Sequence, residues 1–339
     1  MGDSKMMKKT TSALAAAALL GTGIGTASAA TFQIDDSTSV DIGARFYSWV
    51  TGVKDADGKS KTNYATSPRL NFGASTAAVD GLNASMFMQF RPQATLGNSV
   101  AQDENDDGVR THVAWGRVSG EFGSVTYGKN DNLFYRYLDV IADKNDVLTY
   151  TFSNASDRTR ILNYASPDFD GFGFEVEAQL QGDSEKNQTV TDVNGDTFTS
   201  SSKTSSINAA AYADVQDVRV HVAYAEGNLA NPNSDSAYGI GAVTAIQDVK
   251  VDAYYKYSNI FKDGYNGGTA KQKIYGVIGE VEYDGGGFQL GAQQVKGNNV
   301  SSRTEVIARA KYDIADNVYV SAEYRKADRS KDQGDGYAA

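Results

Sequence analysis

The residues able to do chemistry in this chain are mostly carboxylates and side-chain cations. There are two histidines, His112 and His221, and no cysteine. That excludes a thiol nucleophile, a disulfide framework and a cysteine metal site. Hydrolytic catalysis needs a nucleophile with a positioned base. No serine motif accompanies either histidine, so the chain reads as no enzyme, with no cofactor. Asp103, Glu104, Asp106 and Asp107 in "AQDENDDG" are clustered hard-cation ligands. They lack the glutamate at the twelfth position that a calcium-binding EF-hand loop needs. They read as an exposed acidic loop, and no metal is assigned. A second acidic stretch, 130–157, sets Asp131, Asp139, Asp143, Asp146 and Asp157 against Arg136 and Lys144, a net of −3. The remaining question is which elements hold these charges.

The whole chain carries 32 basic and 42 acidic residues. Residues 1–29 contribute Lys5, Lys8 and Lys9 against Asp3, so the rest has 29 against 41, or −12. An acidic body argues against nucleic acid as a partner. Twenty tyrosines and four prolines favour strands, since aromatics suit pleated surfaces and proline interrupts ladders. The N-terminus has the three parts of an export signal: Met7-Lys8-Lys9, an apolar run from Ala13 to Leu20, and the small-x-small site Ala27-Ser28-Ala29. The spacing predicts a leader over 1–29, with 1–6 upstream of its charged part, and a mature domain over 30–339. No later stretch approaches the ~20 apolar residues of a spanning helix.

From Ser39 onward one unit repeats. About ten alternating residues are followed by a short turn, a second alternating run and a longer polar loop. In "SVDIGARFYSW", 39–49, Val40, Ile42, Ala44 and Phe46 share one face, and Asp41, Gly43, Arg45 and Tyr47 the other. Leu70 and Phe72 oppose Arg69; Met86, Met88 and Phe90 oppose Gln89 and Arg91; Val222 and Tyr224 oppose Arg219 and His221. Ala308 and Ala310 oppose Arg309 and Lys311; Val320, Ala322 and Tyr324 oppose Glu323 and Arg325. Short turns rich in Gly, Asn and Asp alternate with long polar loops. Fifteen strands are legible. Bacterial outer-membrane barrels have even strand numbers, with short turns on one side and long loops on the other. The expectation is therefore an all-β, antiparallel transmembrane barrel of sixteen strands whose last strand is missing beyond Ala339.

Charge along one face of nearly every strand is the argument for a membrane. A ring of sixteen strands encloses more space than side chains can fill. The charged face then lines water, the apolar face meets lipid, and every backbone group is satisfied within the ring. Tyr47, Tyr127, Tyr257, Tyr283 and Tyr312, near strand ends, are candidates for interfacial girdles.

Two quoted stretches carry a resemblance. "GRVSGEFGSVTYGKNDN", 116–132, followed by "RILNYASPDFDGFGFEVEAQLQGD", 160–183, resembles the Gram-negative general diffusion porins. The likeness covers the mature chain in layout and is most specific over 114–180. It implies a homotrimer in the outer membrane, among outer-membrane lipid and lipopolysaccharide, with one pore per subunit. It also implies that the third long loop, here about 130–157, folds inward and narrows the channel. Arg117 and Lys129 depart from the family pattern, as does the absent C-terminal strand.

On that resemblance Asp131, Asp139, Asp143 and Asp146 form the acidic side of a constriction. Arg45, Arg69, Arg91, Arg309, Lys311 and Arg325 form its basic wall. Such a transverse field orders water and polar solutes and tunes ion selectivity. The acidic body leans towards cations, against the pull of the arginines. The function expected is passive diffusion of ions and small hydrophilic solutes. A substrate-selective porin and a non-conducting structural or adhesin barrel are the alternatives.

Overall fold

The structure is a computed structural model. It describes residues 22–54, 60–77, 81–92, 109–144, 158–180, 188–191, 197–200, 206–226, 236–262, 269–297, 302–327 and 337–338. Its strands are β1 (Thr22–Gln33), β2 (Thr38–Lys54), β3 (Ser60–Ala77), β4 (Asn83–Pro92), β5 (Val109–Gly120), β6 (Gly123–Asp131), β7 (Arg158–Ala165) and β8 (Phe172–Gln179). A small hairpin, β9 (Gln188–Thr191) and β10 (Thr197–Ser200), lies apart from the main sheet. Then come β11 (Ser206–Val215), β12 (Val218–Glu226), β13 (Ser236–Ile246), β14 (Val249–Lys262), β15 (Thr269–Tyr283), β16 (Gly286–Gly297), β17 (Arg303–Ala315) and β18 (Val318–Ala327). A two-residue β19 (Tyr337–Ala338) pairs with the end of β2.

Each strand from β1 to β8 and from β11 to β18 pairs antiparallel with the next, and β8 pairs with β11. Thr22–Thr26 of β1 pairs with Val318–Ala322 of β18, which joins the two ends into a ring of sixteen. The fifteen strands read from the sequence are β2–β8 and β11–β18. The sixteenth place, expected at the C-terminal end, is filled by β1 from the N-terminal end. Residues 22–29 belong to the expected leader, and with Ala30 as first residue only Ala30–Gln33 of β1 would remain paired to β2.

The two faces separate as period 2 requires. Ile42, Phe46, Leu70, Phe72, Met86, Val222 and Tyr224 are exposed on the outer surface. Their neighbours Ala223 and Ala225 are buried on the inner one. Tyr127, Tyr283 and Tyr312 are exposed outside, and Tyr257 stacks on Tyr238 with ring centroids 4.9 Å apart. Tyr47 does not join them. It lies under Arg45, 4.2 Å from guanidinium to ring, and against Tyr319 at 6.3 Å, on the inner wall.

The β5–β6 turn needs its glycine. Gly123 sits at φ +95°, and a Cβ there would come within 2.1 Å of the Ala165 carbonyl. Among the described residues, no helix is long and apolar enough to cross a membrane.

Candidate pore constriction

Between β6 and β7 the chain turns inward. A π-helical turn, Tyr135–Asp139, runs into an α-helical turn, Val140–Ala142. Leu133, Phe134, Leu138, Ile141 and Ala142 are buried in one cluster with Ala210, Ala223, Ala225, Ala237 and Tyr254 of the barrel wall. Small wall residues allow this close approach. A Cβ on Gly239 would stand 2.7 Å from Leu138 Cδ1 and 2.5 Å from the Tyr255 carbonyl, and one on Gly241 would stand 2.4 Å from Ile141 Cδ1. Four large side chains buried at ~1.5–3 kcal/mol each make apolar packing, roughly 6–12 kcal/mol, the main force on this loop.

Polar contacts fix its position. Lys256 Nζ on β14 donates to Asp139 Oδ1 at 2.7 Å, and both side chains are fully buried. Arg136 donates to Glu175 at 2.9 Å and Glu177 at 3.2 Å on β8. The Tyr137 hydroxyl donates to Glu175 at 2.9 Å. Burial first, then the Glu175 carboxylate, push the Tyr137 phenol well above its ordinary range, so it stays a neutral donor. Lys144 pairs with Asp252 at 3.3 Å, and Arg309 Nη1 donates to the Lys144 carbonyl at 2.9 Å. Tyr135 donates its hydroxyl to Asp143.

The opposite wall carries a row of arginines. Arg45 on β2 pairs directly across from Arg69 on β3. Leu70, next to Arg69, pairs with Phe90, next to Arg91 on β4, and Arg91 pairs with Arg110 on β5. Like charges side by side across strands weaken a sheet. Arg69 and Asp131 line one cavity of about 470 Å³, together with Tyr135 at the start of the inward loop.

The sequence-derived residues thus separate. Arg45, Arg69 and Arg91 form the row, with Asp131 at its cavity. Asp143 is half-buried at the end of the helical turns. Asp139 is neutralised by Lys256, so its charge anchors the loop instead of facing open water. Arg309 lies 3.7 Å from Glu323, Lys311 pairs with Asp313 at 3.0 Å, and Arg325 pairs with Glu305 at 3.0 Å. Asp146, Asp157 and the acidic run 103–107 lie outside the described residues. Arg117 faces inward, donating from Nε to Thr126 Oγ1 at 2.9 Å. Lys129 is opposite Arg160, which shares the outer face of β7 with Leu162.

A barrel of this layout, lined by charge and entered by one packed loop, coincides with a known family. The family model described as Gram-negative porin matches residues 11–332.

The chain belongs to the Gram-negative porins.

It is 31% identical to an outer membrane protein U of Vibrio parahaemolyticus serotype O3:K6 over 160 residues, which are 46% of this chain and 44% of that relative. It is 23% identical to a monosaccharide porin of Halomonas sp, over 98% of each chain. The solved anion-selective porin from Comamonas acidovorans shares its fold, with TM-score 0.65 at 16% identity, covering 94% of this chain and 93% of that one. This porin is therefore a protein of the bacterial outer membrane, and its barrel forms a channel for passive diffusion. Its family and these relatives are channels rather than enzymes.

Sequence reading missed several residues that matter in the porin. Lys256 stood out only as one polar residue among many on β14, and its partner lies 117 positions away. Arg110 had no legible face, because the β4–β5 pairing shifts register between Gln89 and Phe90. Glu323, which pairs with Arg309, was seen as inward-facing but not as a partner. Phe87 and Trp115 point inward against the apolar-out pattern, and alternation alone would have found Phe87 beside Ser85 and Gln89.

Proposed function

We propose that the porin's selective zone lies between the inward loop and the β2–β5 wall. Asp131 and Asp143 supply its acidic side, with Asp146 as a further candidate. Arg45, Arg69, Arg91 and Arg110 supply the basic side, with Arg309, Lys311 and Arg325 extending it at charges already partly balanced by carboxylates. The field across the gap aligns water and polar solutes and disfavours apolar ones. The row of four arginines in register carries this reading, since it gathers positive charge on one inner wall.

The permeant class is ions and small hydrophilic solutes. The acidic body gives a weak preference for cations, which the arginines oppose at the narrowest point. The working unit is a homotrimer seated in lipid and lipopolysaccharide, with residues 1–29 removed on export. No enzymatic role is assigned. Single-channel recording under a salt gradient tests this directly. Stepwise conductance in groups of three, with a small reversal potential of cation-selective sign, is the expected result. A folded, heat-modifiable barrel without conductance would sink the reading in favour of a structural or adhesin role.

A further inference from the structure

Two large aromatic side chains, both half-buried, face the inner side of the barrel outside the loop core. Phe87 on β4 and Trp115 on β5 are cross-strand partners. Their ring centroids are 5.9 Å apart with planes at 30°. The apolar loop cluster lies across the barrel, on β11–β17, and includes neither ring. Their outward neighbours Met86 and Met88 serve the lipid side, so lipid does not require them.

Both rings line the 470 Å³ cavity that also contains Arg69, Gln89, Asn130 and Asp131. That volume falls within the ~300–1,000 Å³ of small-molecule sites. Gln89 Nε2 donates to Asn71 Oδ1 at 2.9 Å, which orients its amide. The Arg117 guanidinium lies 4.9 Å from the Trp115 ring and braces it. The site therefore combines an aromatic platform with a guanidinium, two amides and a carboxylate. A pyranose ring has matching chemistry. Its axial C–H groups form an apolar face, and its equatorial hydroxyls are vicinal donors and acceptors around the rim.

We propose that this cavity is a monosaccharide subsite, with a single pyranose ring seated on Phe87 and Trp115 and its hydroxyls held by Arg69, Gln89, Asn130 and Asp131. It rests on the channel reading above, because the solute reaches the cavity from the lumen. The site sits beside the constriction and delays a sugar that an open pore would pass by diffusion alone.

The test uses the full-length protein in planar bilayers, titrated with D-glucose and, separately, with sorbitol, its open-chain reduced form. Glucose is expected to reduce the current saturably and sorbitol only in proportion to bulk viscosity. Trp115→Ala is expected to raise half-saturation about tenfold, and Phe87→Leu to raise it less. Equal, linear effects of both solutes would overturn the proposal, as would unchanged half-saturation in Trp115→Ala. A second readout covers failure of that variant to fold. The chain has two tryptophans, so Trp49→Phe leaves Trp115 as sole emitter, and its fluorescence should respond to glucose and not to sorbitol. No response would overturn the subsite. Absence of any conductance without sugar would instead overturn the channel reading, and the fluorescence titration would still decide the site.

Discussion

Replacing Lys256 by methionine is the sharpest test of how the inward loop is held. The change keeps side-chain bulk and removes one half of a pair that is fully buried on both sides. Breaking a buried pair by deleting one partner costs ~3–5 kcal/mol, because the other charge is stranded. Apolar burial of Leu133, Phe134, Leu138 and Ile141 contributes roughly 6–12 kcal/mol, so the stronger of the two forces survives and the loop stays docked. What changes is the population of the undocked loop, which rises by about two to three and a half orders of magnitude. Hydrogen exchange reads that population directly. Amides of 133–142 should lose protection by this factor, while those of β12–β14 keep theirs. Replacing both partners, Lys256→Met with Asp139→Leu, should restore most of the protection, since an apolar pair of similar size is often neutral or better. Unchanged protection in the single variant would refute the claim that the pair anchors the loop. Equal loss throughout the barrel strands would refute the claim that the loop opens independently.

Arg45→Ala with Arg69→Ala should shift the reversal potential towards cations under a salt gradient and raise barrel stability slightly, because two like charges in register are removed; a shift towards anions would refute the assigned field. Gly239→Ala should destabilise loop docking by ~1–3 kcal/mol through overpacking, since its Cβ meets a backbone carbonyl that cannot swing away; calorimetry and loop exchange both read it. Mass spectrometry of the protein taken from outer membranes should give Ala30 as first residue; retention of 22–29 would mean that the β1–β18 seam persists as the structure draws it.

Much of the barrel was legible because strand geometry is local. Ile42, Phe46, Leu70 and Phe72 were assigned to the outer face from alternation alone, and they are exposed there. The alternation of short Gly-, Asn- and Asp-rich turns with long polar loops was legible for the same reason. Tyr47 shows the limit. Alternation put it on the lumen face while its place near a strand end suggested a girdle, and alternation was right. Whether two legible charges meet was not local. Asp139 was read as a lumen carboxylate because nothing near it in sequence names Lys256.

By itself, then, the amino-acid sequence determined the element type, the facing of the cleanly alternating strands, the acidic loop and the family resemblance. A side chain's face follows from its position in a two-residue repeat, and neighbours in the chain define that repeat. The tertiary structure decided how Arg45, Arg69, Arg91 and Arg110 fall into one row, which carboxylates are neutralised, and that Phe87 and Trp115 share a cavity. Those outcomes depend on register between strands and on where one loop packs, and both are set by contacts between residues far apart in the chain.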